Sequence, residues 1–188
     1  MAEALPVVPY RRALVPGTRA SVPSSRADLR PGDRVVIVLE HEDGTRAAVG
    51  TTAAVSGVHT PSFAGAMLDV VGEALVVLSQ DGDRAEVHPV DHARPDAAPL
   101  VAEVRSRLRS YMAARSEAGE GGDVHVDIGP DAVAASHEVA SHLRISWPEI
   151  QEILEAGDAA ARLRLEARVL ERETVLLRAV LGRGRAED

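Results

Sequence analysis

The residues His137, Glu138 and His142 are the first place in this sequence where metal chemistry could be sought. They supply the residue types of the His-Glu-x-x-His helix of zinc peptidases, in which the histidines are four residues apart. Here the histidines are five residues apart, which separates the two rings by about 140° on a helix of 3.6 residues per turn. The two rings cannot face the same ion at once, so we predict that neither is a zinc ligand.

A second group, His88, Asp91 and His92, stands at the end of a predicted strand and could form a weak metal site. Structural zinc sites use four ligands, commonly with cysteine among them. The chain has no cysteine, and no further ligand cluster accompanies this group. We therefore interpret it as a solvated strand end and predict that the protein uses no metal or other cofactor.

The absence of two residue types excludes several kinds of catalysis. All 21 basic residues are arginine, and there is no cysteine. The chain consequently lacks the lysine of a phosphate-binding loop, and it lacks the lysine or thiolate that a Schiff-base, Ser–Lys or cysteine mechanism requires. The carboxylates are scattered, with no pair placed for acid–base work. We predict that the protein is not an enzyme.

The charge and hydropathy of the chain argue against two classes of binding partner and predict where the protein is found. The net charge of −8 argues against a nucleic-acid partner and against an anionic membrane surface. The N-terminus carries an acid where a signal peptide would carry positive charge, and no run of about 18 apolar residues occurs. The expected location is the cytoplasm.

Aromatic residues make up only 2% of the chain, so the core must consist of Ala, Val and Leu.

The first half of the chain has the pattern of a β-sheet. Turn signals separate short apolar or alternating segments without helices between them, which predicts an antiparallel sheet closing towards a small barrel. Gly72 interrupts one segment, which favours a bulge or a corner in a curved sheet. Ala20–Arg30 is polar and is predicted to be irregular. The predicted strands are residues 5–9, Arg34–Glu40, Arg46–Val58, Ala64–Leu78 and Arg84–Val90.

The second half has helical signals. Asp96 is predicted to cap a helix that carries Leu100 to Met112 at helical spacing, and residues 117–122 form a glycine-rich hinge. Ser146-Trp147-Pro148-Glu149 predicts a capping box, and Asp158 a cap for the last helix. That helix has two apolar stripes, with Arg and Glu opposite the first: Leu163, Ala167, Leu170, Thr174, Leu177 and Leu181, then Leu165, Val169, Leu176 and Val180. The predicted fold class is α+β, with a β subdomain over 1–95 and a helical bundle over 96–188.

Four stretches together resemble the N-terminal, substrate-binding domain of Lon proteases over nearly the whole chain. Leu5-Pro6-Val7-Val8-Pro9-Tyr10-Arg11 with Val15-Pro16-Gly17 is similar to the opening motif of that family. Val49-Gly50-Thr51 is similar to its Val-Gly-Thr strand, and Arg84–Val87 to the strand before its helices. Ala140–Gln151 is similar to its Ser-His-Leu helix junction.

This resemblance implies a PUA-like antiparallel β-barrel subdomain, a helical bundle, and a non-catalytic role in recognising substrates. Complete Lon proteases continue into an ATPase module and a Ser–Lys peptidase module. This chain has 188 residues and no lysine, so we expect it to lack both modules. We therefore expect a stand-alone form that binds exposed apolar segments of unfolded or partly folded polypeptides. It could do so as an adaptor to a separate ATP-dependent protease.

Four residues are the candidate contacts for such segments: Tyr10, Val15, Phe63 and Met67. An apolar groove or a free sheet edge would provide the binding surface. Phe63, the only phenylalanine, falls in a predicted loop, where it is either a contact or a plug for the barrel.

Two alternatives stay open. PUA-like folds also bind RNA or small ligands, and here a salt-sensitive affinity would run through Arg11, Arg12, Arg19, Arg26 and Arg30. The two stripes of the last helix could instead pair two copies of the chain as a homodimer.

Overall fold

A computed structural model of the chain describes residues 3–26, 28–60, 65–79, 82–90, 97–120 and 126–184. In these residues six strands precede four helices, which confirms the α+β class. The strands are β1 (Glu3–Tyr10), β2 (Arg19–Ser24), β3 (Arg34–Glu40), β4 (Arg46–His59), β5 (Ala66–Leu78) and β6 (Arg84–Pro89). The helices are α1 (Ala98–Glu117), α2 (Ala132–His142), α3 (Trp147–Glu155) and α4 (Ala159–Gly184). Phe63, Asp91, His92, Asp96 and part of the predicted hinge lie outside the described residues.

The strands form a mixed sheet that closes into a ring. Strand β5 pairs with β4, and the order continues through β3, β1 and β6 before β6 returns to β5. Strand β2 pairs with the first half of β5, and β6 with its last residues. The prediction of an entirely antiparallel sheet is wrong for one pair, because β1 and β3 run parallel. Strand β2 separates these two in sequence and reverses the chain between them.

Strand β2 begins at Arg19, and the rest of it lies within the segment Ala20–Arg30 that we predicted to be irregular. Its register places Val22 opposite Leu68 and Pro23 opposite Met67 of β5. Val22 is fully buried and Ser24 nearly so, while Pro23 between them is exposed. Only one large apolar residue marks the buried face, so the alternation was too weak to indicate a strand from sequence.

The core of the sheet lies on both sides of β3. Val35 and Ile37 belong to one apolar cluster, with Leu14 and Leu68 among its other members. Val36 and Val38 face the opposite side, where they join residues of β1, β5 and β6. This double burial explains the uninterrupted apolar run of β3, which an alternating strand with one wet face would not show.

Gly72 allows a loop to approach the sheet closely. A Cβ at this position would lie 2.8 Å from the carbonyl oxygen of Val15. The backbone of Gly72 also accepts a hydrogen bond from Gly17 N–H and donates one to Thr18 O, both at 2.9 Å. The register between β4 and β5 shifts between Thr52 and Ala53, opposite Gly72, which confirms the predicted bulge.

Helix α3 packs against the sheet rather than with the other helices. Its predicted capping box is present: Ser146 accepts from Glu149 N–H, and the Glu149 carboxylate accepts from Ser146 N–H. Gln151, only 4% exposed, donates through Nε2 to Val49 O of β4 at 2.9 Å. Accordingly, one compact unit comprises residues 1–91 with 144–156, and a second comprises residues 92–143 with 157–188. The predicted boundary at residue 95 lies in an undescribed stretch and stays a prediction.

Replacing Gln151 by alanine should loosen α3 from β4. We expect the free energy of unfolding to fall by about 1 to 3 kcal/mol, because the Val49 carbonyl would lose its side-chain donor in a buried position. Trp147, the only tryptophan, begins the same helix and reports the transition by fluorescence during urea unfolding. Glu152→Ala, an exposed neighbour, is the control. An equal loss in both variants would contradict the role given to Gln151.

The second unit contains α1, α2 and α4. Along α4 the first predicted stripe is buried at Leu163, Ala167, Leu170 and Thr174. The second stripe ends on the surface, with Leu176 54% and Val180 69% exposed. Asp158 Oδ1 accepts from Ala161 N–H at 2.9 Å, as predicted for the cap of α4. Helix α1 follows Ala97 without a side-chain cap.

Candidate functional site

A groove opens in the first unit between β1 and β2. Its volume is about 610 Å³, and its lining includes Val7 and Pro9 of β1, Pro23 of β2, and Ser25 just beyond β2. Within the described sheet β2 is a terminal strand that pairs with β5 alone. One edge of β2 pairs with β5. The other edge faces the groove and has no neighbouring strand in the described sheet. We call this opening the β1–β2 seam.

Two prolines explain why the seam stays open. Val7 N–H donates to Asp83 O at 3.0 Å, so the Val7 amide points away from β3 and towards β6 and the seam. Amides alternate between the two edges of a strand, so position 9 has the same direction as position 7. That position is a proline, which has no N–H. Pro23 lies in a terminal strand, where a missing N–H is tolerated on the unpaired edge.

The charges around the seam are balanced. Arg26 donates to both carboxylate oxygens of Asp28, at 3.2 and 2.8 Å, and to Asp83 O at 3.1 Å. The hydrogen bond from Arg26 lowers the pKa of Asp28, and the same bond raises the pKa of Arg26. The lining arginines are Arg26, Arg46 and Arg84, and the lining acids are Asp28, Glu40 and Asp83. The formal charges of these six side chains cancel.

The other two arginines bind main-chain oxygens. Arg84 donates to Ala4 O at 2.7 Å, and Arg46 donates to Gly82 O at 3.2 Å. Arg84 thus fastens the start of β1 to β6, and Arg46 of β4 holds the residues that precede β6. A free cationic patch of the kind that binds phosphate backbones is not formed by these residues.

The four candidate contacts have different positions. Tyr10 directly follows Pro9, is half-buried, and packs against the cluster that contains Val8. Met67 is half-buried and lies opposite Pro23 in the β2–β5 register. Both are thus next to seam residues in the chain or in the sheet. Val15 is only 4% exposed and belongs to the core, and Phe63 lies outside the described residues.

Sequence reasoning did not find the seam itself. Pro9 and Pro23 were visible, and a proline in a strand indicates a free edge. Strand β2, however, was not predicted, so nothing suggested that the two prolines would lie on opposite sides of one groove.

Two other groups of titratable side chains occur among the described residues. His142 Nε2 lies 3.0 Å from Glu138 Oε1, one helical turn away, and no group of three His, Asp or Glu in the described part of the chain could hold a metal ion. Asp69 lies between Ser21, which donates to Oδ1 at 2.5 Å, and His59, at 3.4 Å from Oδ2. The serine thus donates to the carboxylate, whereas in a Ser-His-Asp triad it donates to the histidine. None of the described helices is both long and apolar enough to cross a bilayer.

Comparison with solved structures places this fold in a known class. The N-terminal domain of the Mycobacterium avium complex Lon protease superposes with a TM-score of 0.64 at 19% identity, covering 90% of this chain and 98% of that one. A Lon N-terminal domain protein from Xanthomonas campestris superposes with a TM-score of 0.54, also at 19% identity, covering 86% and 95%. No family model and no curated protein sequence matches the chain. The chain thus has the fold of Lon N-terminal domains, which confirms at the level of the fold the resemblance given by its motifs.

Proposed function

We propose that this chain is a non-catalytic substrate-recognition module that binds exposed segments of unfolded or partly folded polypeptides. The observation that carries the proposal is the β1–β2 seam, an open groove beside a strand edge that has no partner in the described sheet. Free sheet edges and adjoining grooves are a common way of binding extended polypeptides. The likeness to Lon N-terminal domains supports the same role.

In this proposal Tyr10 and Met67 supply apolar contact at the margins of the seam, and Phe63 is retained from the sequence as a third contact. Val15 would act indirectly, because it supports the loop that approaches Gly72. The module would work in the cytoplasm, either alone or as an adaptor that passes bound polypeptides to a separate ATP-dependent protease.

Tyr10→Ala and Met67→Ala should each weaken binding of an unfolded polypeptide by about 5- to 30-fold, since truncating an apolar contact typically costs 1 to 2 kcal/mol. The measurement is fluorescence anisotropy with labelled, reduced and carboxymethylated α-lactalbumin as the probe. Val175→Ala removes an equally apolar side chain that is 62% exposed on α4, and it should leave the affinity unchanged. Phe63→Ala tests the third contact in the same assay.

Absence of binding by the unaltered protein would overturn the proposal. The alternative of an RNA or small-ligand receptor makes a different prediction, because RNA affinity would fall steeply with salt. The balanced charges of the seam do not favour that alternative.

A further inference from the structure

We propose that the polypeptide lies in the β1–β2 seam as an extended strand whose backbone N–H groups donate to the carbonyl groups of β1 and β2. The site would then recognise main chain rather than particular side chains. This inference rests on the proposed function and specifies where and how the ligand binds.

The first argument is the mismatch of donors and acceptors along the seam. The N–H and C=O of one strand residue point to the same edge. Pro9 therefore presents a carbonyl to the seam and no N–H, and Pro23 does the same from the other side. Neither proline can donate to the opposite edge, so pairing between β1 and β2 would lack a donor at both positions. A third chain that brings N–H groups can pair with both.

The second argument is the charge of the lining. Arg26 is engaged by Asp28, and Arg46 and Arg84 by main-chain oxygens. The lining has three arginines and three acids, so its formal charges sum to zero. An anionic or cationic anchor would gain little from a neutral groove of this kind. An uncharged peptide backbone, which supplies one N–H donor at each residue other than proline, fits both the charge and the acceptors.

The third argument is access. The groove of about 610 Å³ includes the exposed residues Pro23 and Ser25, so a chain can enter from solvent without opening the core. Val8 and Val22, which line the interior beside the seam, are buried in the apolar cluster. The ligand would therefore add to the sheet at its margin rather than replace core side chains.

N-methylation of the ligand tests the donor argument. The probe is an apolar, uncharged eight-residue peptide, compared with two versions that are N-methylated at alternate residues, one version for each edge of the peptide. Each methylated version should bind at least tenfold more weakly, whereas a peptide with the same residues in permuted order should bind within about threefold of the original. Equal binding of the methylated and unmethylated peptides would overturn the inference.

A steric block tests the location. The chain has no cysteine, so Ser25→Cys can be labelled at a single site in the seam with a bulky maleimide. Ser110→Cys, exposed on α1, carries the same label as the matched control. Only the labelled Ser25→Cys protein should lose peptide binding, by at least tenfold.

The outcomes separate the two proposals. If unfolded polypeptide binds but neither methylation nor the Ser25 label matters, the module stands and the seam assignment fails. If nothing binds to the unaltered protein, both fail. If ultracentrifugation without peptide shows a dimer that the Ser25 label dissociates, the seam belongs to a second copy, and the inference is overturned.

Discussion

Replacing Arg162 by alanine is expected to lower the free energy of unfolding by about 3 to 5 kcal/mol. Arg162 is completely buried and is the largest fully buried side chain in the described part of the chain. Its Nε–H donates to Ser136 Oγ of α2 at 3.1 Å, and Ser136 donates to Glu166 Oε1 at 3.0 Å. Truncation would leave a cavity between α2 and α4 and remove the donor to Ser136, and large-to-small changes at such sites cost amounts of this size.

Chemical unfolding followed by circular dichroism would measure this loss. Arg164→Ala removes the same side chain from an exposed position on the same helix, and it should change stability by less than about 0.5 kcal/mol. Arg162→Met keeps much of the volume while removing the charge, so it should cost less than Arg162→Ala. If Arg162→Ala were as stable as Arg164→Ala, the packing role of the buried guanidinium would be wrong.

The burial of Arg162 shows a limit of reasoning from periodicity. The stripe of Leu163, Ala167 and Leu170 was predicted and is buried, because alternating steps of three and four place these residues on one face. The same pattern predicted charged residues on the opposite face. Arg162 and Glu166 border the stripe instead, and α2 covers them through Ser136. Only the position of another helix decides whether such flanking residues are wet or dry.

Sequence signals predicted the helix caps and β3 well, because these features depend on neighbouring residues and not on the position of another element. The capping box of Ser146 and Glu149 and the cap at Asp158 depend on atoms within three residues of each other. The boundaries of β3 likewise follow from a continuous apolar run. Features that join distant segments were missed: β2 gains its strand structure from β5, and the parallel pairing of β1 with β3 depends on the path of the chain between them.

The candidate site shows the same contrast between features that neighbouring residues predict and features that depend on distant segments. Family motifs directed attention to Tyr10 and Val15, but the sequence could not tell that Val15 is buried while Tyr10 is half-buried beside Pro9. The seam depends on the meeting of β1 with β2, so neither strand reveals it alone. Its prolines were visible, and their relation to each other became evident only with the sheet order.

The buried carboxyl group of Glu166 should make the protein less stable as the pH rises through the neutral range. Burial raises the pKa of Glu166 to about 8 from an ordinary 4.5, and the hydrogen bond from Ser136 and the charge of Arg162 offset only part of this increase. Its Oε2 atom is buried with no hydrogen-bond partner among the described residues, which further disfavours the ionised form.

The direction of this change in stability follows from the number of protons that the folded and unfolded chains bind. Between pH 4.5 and about 8 the folded chain holds the Glu166 proton and the unfolded chain releases it, so this group stabilises the fold fully below pH 4.5. That contribution is lost as the pH rises to about 8, by at most about 1.4 kcal/mol per pH unit. Glu166→Gln keeps a neutral side chain of the same shape at every pH. It should therefore remove this slope and be more stable than the unaltered protein above pH 8.

Urea unfolding at pH 5.5, 7.0 and 8.5 would test this, with the difference between variant and unaltered protein as the readout. Glu171→Gln is the matched control: its carboxylate is exposed and lies 2.6 Å from Arg107, so the same substitution outside the core should leave the slope unchanged. If Glu166→Gln and Glu171→Gln showed the same pH dependence, the buried carboxyl group would have to be ionised, and Arg162 would compensate its charge in full. A slope lost only in Glu166→Gln would mean that the contact between α2 and α4 is held by a neutral acid, which an increase in pH weakens.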